Sequence, residues 1–194
     1  EETIEKDIAL MEKQGVEVKC GAPAPSVAEL KAMGYTHILF AVGAWKAGRL
    51  DIEGAVAGVI QWMKGVKAGN IAVSGSVAVV GAGNTAMDAA RLAKRSGAES
   101  VTIVYRRTKK YMPADEHELA LAIADGVNFA ELAAPVKQAD GLLTCEKMVL
   151  GEADASGRRS PVGTGEYFTI PCDLVISAVG EQVDDALLGA NGVE

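Results

Sequence analysis

The chain has 194 residues, enough for one large or two small domains with a sizeable core. Its residues are 49% hydrophobic but only 5% aromatic, which describes a core of Ala, Val, Leu and Ile, as in parallel sheets covered by helices. A formal charge of −7 excludes a general nucleic-acid or membrane-surface binder, and no apolar run reaches the roughly 18 residues of a membrane span. The opening residues lack the basic and apolar regions of a signal peptide, so the expected compartment is the cytoplasm.

From the N-terminus, Ile4, Ile8 and Met11 recur at helical spacing until Gly15, and Val16-Glu17-Val18 alternates like a strand. After the connection Ala22-Pro23-Ala24-Pro25, Ser26 can cap a helix reaching Met33. His37 to Val42 reads as a buried strand ending at Gly43-Ala44, small residues that let a backbone pass close to a ligand or another chain segment. Arg49 to Gly54 reads as a loop, and Val56 to Val66 as a helix with Trp62 on its apolar side. Trp45 and Trp62 are expected to be packing residues rather than stacking platforms. The Gly- and Ser-bearing stretch from Ala68 to Ser76 reads as a linker.

The second segment carries the chemistry. Val77-Ala78-Val79-Val80 reads as a buried strand, Gly81-Ala82-Gly83-Asn84-Thr85-Ala86 as a turn of the form G-x-G-x-x-A, and Thr85 to Arg95 as a helix with Ala86, Ala90 and Ala93 on its apolar face. Gly97 supplies the stop. Such a turn lets the backbone approach a pyrophosphate, while the helix start offers free N–H groups and a positive dipole end. The next strand, Val101 to Tyr105, ends in Arg106-Arg107. There an acidic residue would accept from a ribose 2′-hydroxyl, whereas arginine suits a 2′-phosphate, so these residues read as an NADP(H) site rather than an NAD(H) site. Two other readings stay open: NAD(H) with solvated arginines, and a Rossmann-like unit that binds no nucleotide.

Lys109 and Lys110 add cations, Pro113 fits a helix entry, and Ala114 to Ala124 reads as a helix. Its Asp115, Glu116 and Glu118 lie where the dipole favours solvated acids rather than an acid–base pair. Val127 to Leu132 is a third strand, followed by Thr144 to Leu150, a Gly157-Arg158-Arg159 turn, Tyr167 to Ile170, and a last buried strand within Asp173 to Gly180. Gly180 would close the nucleotide crevice from a neighbouring strand end. The order predicts an α/β, Rossmann-like three-layer domain: a parallel sheet with helices on one face and a small antiparallel meander on the other. Cys20, Cys145 and Cys172 form no C-x-x-C pair, and His37 and His117 have no partner at ligand spacing; reduced structural thiols and no metal site are expected. No assembled nucleophile, base and oxyanion site is present, and hydride transfer needs none.

Four stretches, Val79 to Asp88, Val104-Tyr105-Arg106-Arg107, Met112-Pro113-Ala114 and Asp173 to Gln182, together resemble the NADPH-binding part of the glutamate synthase small (β) subunit family. That family includes the selenate-reductase-type subunits and the flavin portion of dihydropyrimidine dehydrogenase. In the first segment, Glu1 to Cys20 looks like the helix and strand before the end of the family's FAD domain. Ile38 to Ala44 looks like its A-T-G-A strand end, with Val42 where threonine is frequent. Neither the family's first G-x-G-x-x-G, for the FAD pyrophosphate, nor a cysteine cluster for iron–sulfur centres is found.

The resemblance implies that residues 1–70 are a remnant of the FAD-binding domain with a linker and that residues 71–194 are the NADPH-binding domain. It implies that Gly81, Gly83 and Asn84 meet the pyrophosphate, with Ala82 and Thr85 in the same cofactor-binding turn. Arg106 and Arg107 would meet the 2′-phosphate, Gly180 would border the nicotinamide, and Gly43 would belong to FAD. In the parent, hydride would pass from NADPH to FAD N5 and the electrons on to a partner subunit or domain. The expectation is an electron-input module of a flavoprotein oxidoreductase that, without the missing FAD domain, retains no FAD and does not turn over. The alternative is a non-catalytic NADP(H)-binding or subunit-docking module.

Overall fold

The structure, a computed structural model, describes residues 2–44, 46–48, 50–155, 157 and 159–193, and it divides the chain into two compact units, Glu1–Val42 with Asp185–Glu194, and Gly43–Asp184. Trp45 and Arg158, on which sequence expectations fell, lie outside the described residues.

In the first unit, α1 (Glu2–Lys13) and α2 (Val27–Ala32) form where the apolar spacing and Ser26 predict helices. Ser26 Oγ accepts from the Glu29 amide at 3.3 Å and the Glu29 carboxylate accepts from the Ser26 amide at 2.8 Å, a reciprocal cap that satisfies two otherwise orphan donors. The Val27 amide donates to Asn191 Oδ1, just past a short helix at Asp185–Ala190. The expected strands at 16–18 and 37–42 do not form. Neither segment is among the strands of the described sheets, and Leu39 is 90% exposed.

The second unit contains β1 (Lys46–Ala47), β2 (Val56–Gly58), α3 (Val59–Lys67), β3 (Ser76–Val80), α4 (Asn84–Arg95), β4 (Ser100–Tyr105), α5 (Glu116–Ala124) and β5 (Asn128–Glu131). Then follow β6 (Ala133–Ala139), β7 (Leu142–Ala153), β8 (Arg159–Pro171), β9 (Leu174–Ser177) and β10 (Glu181–Gln182). Five strands form a parallel sheet in the order β2-β9-β3-β4-β5, in which Val79 of the central β3 pairs with Ile103 and Ile176. β6, β7 and β8 form the antiparallel meander, and β1 pairs with β10.

Alternation along the strands sends Val77, Val79, Val101, Ile103 and Ile176 to one core, shared with Trp62 of α3 and with Ala86, Ala90 and Ala93 of α4. Ala78, Val80, Val104 and Val175 go to a second core with Leu143 and Cys145 of the meander. Both faces are covered, which is why the strands read as continuous apolar runs. Trp62 is a packing residue at 3% exposure. The helix expected over 56–66 begins later: Val56 to Gly58 pair with Val175 to Ser177, and the helix starts at Val59. A parallel edge was available to these residues, so pairing overrode helical periodicity. Residues 43–70 thus belong to the second compact unit, whereas the sequence placed the boundary at residue 70. No described helix is long and apolar enough to cross a membrane.

Asp125, at the C-terminal end of α5, ties this helix to α4 by accepting from Arg91 Nε at 2.8 Å and Arg95 Nη2 at 3.0 Å. Hydrogen bonds from Arg95 and then Arg91 hold its carboxyl below the ordinary value of 3.8. A depressed carboxylate stabilises the fold above its unfolded pKa and loses that contribution as pH falls through the folded value. The thermal-midpoint gap between the wild type and Asp125→Asn should therefore be widest near neutral pH and narrow as pH drops below 3.8. A gap that stays constant down to acid pH would contradict this.

Candidate functional site

The C-terminal ends of β3, β4 and β9 open onto a cleft of about 750 Å³ lined by the glycine turn, by Arg106 and Arg107, by Ala178 to Gly180, and by Ala133 to Pro135 of the meander. A parallel sheet puts its strand ends and the following helix starts on one edge, and this is the edge where such folds bind ligands.

Gly81 leaves β3 at φ 130°, and a Cβ there would stand 2.5 Å from the Ala178 carbonyl oxygen. The same crossing is closed by hydrogen bonds from Gly81 N to Val104 O at 3.1 Å and from Ala178 N to Val80 O at 2.9 Å. Only glycine fits this passage. Gly83 differs: it has ordinary backbone angles, φ −87° and ψ 174°, and a Cβ on it would meet open space. It is the N-cap of α4 and provides no side-chain cap, and its carbonyl accepts from the Ala86 amide at 2.9 Å, so the helix starts at the cleft with no capping side chain over it.

The structure brings Gly81, Ala82, Gly83, Thr85, Arg106, Arg107 and Gly180 to this cleft. Asn84 and Gly43 are not among its lining residues. The Asn84 side-chain oxygen accepts instead from the Asp115 amide at 3.1 Å, and Ala82 O accepts from the Ala114 amide at 3.0 Å, so the glycine turn is bound to the loop entering α5. The two arginines part company. Arg106 is exposed, whereas Arg107 is 9% exposed with its Nε buried and without a hydrogen-bond partner. A buried, unpartnered guanidinium nitrogen in a cleft wall fits an anionic ligand. Among the described lining residues none is Asp, Glu, His or Cys, so the cleft offers donors and cations rather than an acid–base pair.

Sequence reasoning missed the meander wall, Ala133 to Pro135, and Leu50. Nothing local marks these residues: they reach the cleft because the chain reverses at Leu132, whose φ is 53°, and β6 then returns over the sheet.

A parallel sheet with a glycine turn and helix start at its ligand edge, helices on one face and a meander on the other is the Rossmann-like fold of FAD/NAD(P)-binding oxidoreductases. It is shared with 2-naphthoyl-CoA reductase, with a TM-score of 0.67 and 20% identity, covering 98% of this chain and 27% of that one. The chain belongs to the pyridine nucleotide-disulphide oxidoreductase family, which it matches over residues 2–194. It is 41% identical to YgfK of Escherichia coli (strain K12), covering 99% of this chain and 19% of that protein. It is also 46% identical to the glutamate synthase [NADPH] small chain of Azospirillum brasilense, over 56% of this chain and 24% of that one. The chain thus spans about a fifth to a quarter of the length of these relatives.

Cys145 and Cys172 are fully buried in the meander-side core, and burial raises their thiols to about 12 and about 11, while Cys20 is exposed. A thiol-specific reagent at pH 8 should label Cys20 alone in the folded chain and reach the other two only after denaturation. The glycines allow a sharper check. Gly81→Ala should destabilise the fold by roughly 1–3 kcal/mol through backbone conflict, whereas Gly83→Ala should leave the thermal midpoint nearly unchanged. Equal midpoints for the two variants would contradict the assigned crossing.

Proposed function

We propose that the cleft binds NADPH and that this chain is the electron-input part of a flavoprotein oxidoreductase, passing hydride from NADPH to FAD. One juxtaposition carries this reading: the start of α4, which has no side-chain cap at Gly83, and the paired arginines after β4 share one cleft. The amides with Gly81, Ala82, Gly83 and Thr85 form the pyrophosphate cradle, and Asn84 holds that turn to the Asp115 loop. Arg106 and Arg107 take the 2′-phosphate, which gives the buried Nε of Arg107 the partner it lacks. Gly180, at φ 60° on the opposite wall, borders the nicotinamide. When bound, the nicotinamide supplies the hydride; the chain's own residues bind and orient it.

Residues 1–70 are read as a remnant of the FAD-binding domain, with Gly43 belonging to FAD in the full-length parent and FAD not retained by this chain alone. The electrons leave through a partner subunit or domain, in the cytoplasm. The name of the Azospirillum relative supports NADPH as the donor.

Calorimetric titration at fixed salt should give clear binding of NADPH and much weaker binding of NADH. Arg106→Ala should weaken NADPH by about 1.5–3 kcal/mol and leave NADH nearly unchanged, because one charge-assisted contact is lost. Gly83→Ala should impair both nucleotides without unfolding the chain. Equal losses of both in Arg106→Ala would overturn the 2′-phosphate assignment, and no binding of either by the wild type would overturn the nucleotide reading in this chain.

A further inference from the structure

The cations after β4 stand on a loop, residues 106–112, and a surface loop ordinarily leaves its side chains poorly placed. Here the backbone is gripped at successive points. The Arg107 carbonyl accepts from the Leu132 amide at 3.1 Å, and the amide of Lys109 donates to the Glu131 carboxylate. The Lys109 ammonium lies 5.3 Å from the centroid of the Phe129 ring, which stands edge-on to Tyr105 at 6.5 Å and 77°. Tyr105 completes the circuit by donating its hydroxyl to the Tyr111 carbonyl at 2.7 Å.

Lys109 opens a single 3-10 turn, Lys109–Tyr111, entered from Thr108 at φ −92° and ψ 162° with no side-chain cap from Thr108. The first amides of such a turn have no partner within it. Glu131 supplies one from another strand. Phe129 and Glu131 are two residues apart on β5 and therefore point to the same side, one meeting the ammonium of Lys109 and the other its amide.

We infer that Glu131 is a positioning residue for cofactor choice: by capping the turn at Lys109 it fixes the loop that keeps Arg106 at the cleft. The inference rests on the reading of this cleft as an NADPH site. It also has a definite sign. A carboxylate acting only through its charge would repel a nearby phosphate, and its removal would strengthen NADPH binding; a carboxylate acting as an acceptor for the loop does the reverse.

The test is calorimetric titration of the full chain with NADPH and NADH at one salt concentration. Glu131→Ala should shrink the NADPH-over-NADH preference about tenfold while NADH affinity holds, the scale of one lost charge-assisted hydrogen bond. Glu131→Gln, which keeps the acceptor, should stay within about twofold of the wild type in that preference. A second pair approaches from the donor. Lys109→Ala and Lys109→Pro both lose the ammonium, but only proline loses the amide, and its fixed φ suits the first position of the turn after an extended Thr108. The proline variant should lose preference relative to the alanine variant, and this pair decides the matter if Glu131→Ala does not fold. An unchanged preference in Glu131→Ala, equal losses for both nucleotides, or a glutamine variant as impaired as the alanine one would overturn the inference. A wild type with no NADPH preference overturns the cofactor reading itself, a result separate from these.

Discussion

Between the ends of β3 and β9 the main chain of Gly81 passes so near Ala178 that a Cβ would stand 2.5 Å from its carbonyl oxygen. The approach follows from the sheet. β3 is central, paired to β9 at Val80↔Ser177 and to β4 at Val80↔Val104, and the chain must leave it at once to enter a helix on the sheet's face. A positive φ at Gly81 makes that exit, and the small residues of α4, Ala86, Ala89, Ala90 and Ala93, let the helix sit close to the sheet. The start of α4 is thereby delivered to the strand ends with no side-chain cap at Gly83. The cleft is a consequence of this passage rather than a separate construction.

The electrostatics of the cleft run against those of the chain. A molecule with a formal charge of −7 gathers Arg106, Arg107 and a helix N-terminus in one place with no acidic residue among the described lining. The two arginines are neighbours in sequence but occupy different environments. In the bend just past β4 one is exposed to water and the other, Arg107, is held at 9% exposure. A buried cation with an unmet donor is costly in an empty cleft and favourable with an anion present. The same inequality makes Arg106 the cleaner probe of ligand charge, since replacing it disturbs no packing.

The two compact units differ in how they are stabilised. Every fully buried hydrophobic residue among those described lies between Val59 and Ile176, inside the second unit. Ile4, Ile8, Leu10 and Met11 of α1 remain exposed, so this helix relies on propensity and local ion pairs such as Lys6 with Glu2 at 2.7 Å. Helices held that way are marginal in water. In the second unit two cores, one on each face of the same sheet, hold the strand ends that form the cleft.

Where the physics is local, the sequence was enough. β3, the glycine turn, α4, β4, α5 and the late strand β9 were all legible, because alternation, helical spacing, glycine and capping residues act within a few positions of one another. The helix cap at Ser26 and the packing role of Trp62 were legible for the same reason. Pairing between distant segments was not: 56–58 became an edge strand because β9 was there to receive it, and 37–42, apolar in sequence, is in none of the described sheets. The cleft divides along the same line. Its glycines and arginines were written in one short stretch, but the burial of Arg107, the wall of Ala133 to Pro135 and the grip of Glu131 on Lys109 depend on β5 and β6 returning beside β4, and only the tertiary fold brings residues 20 to 30 positions apart into contact.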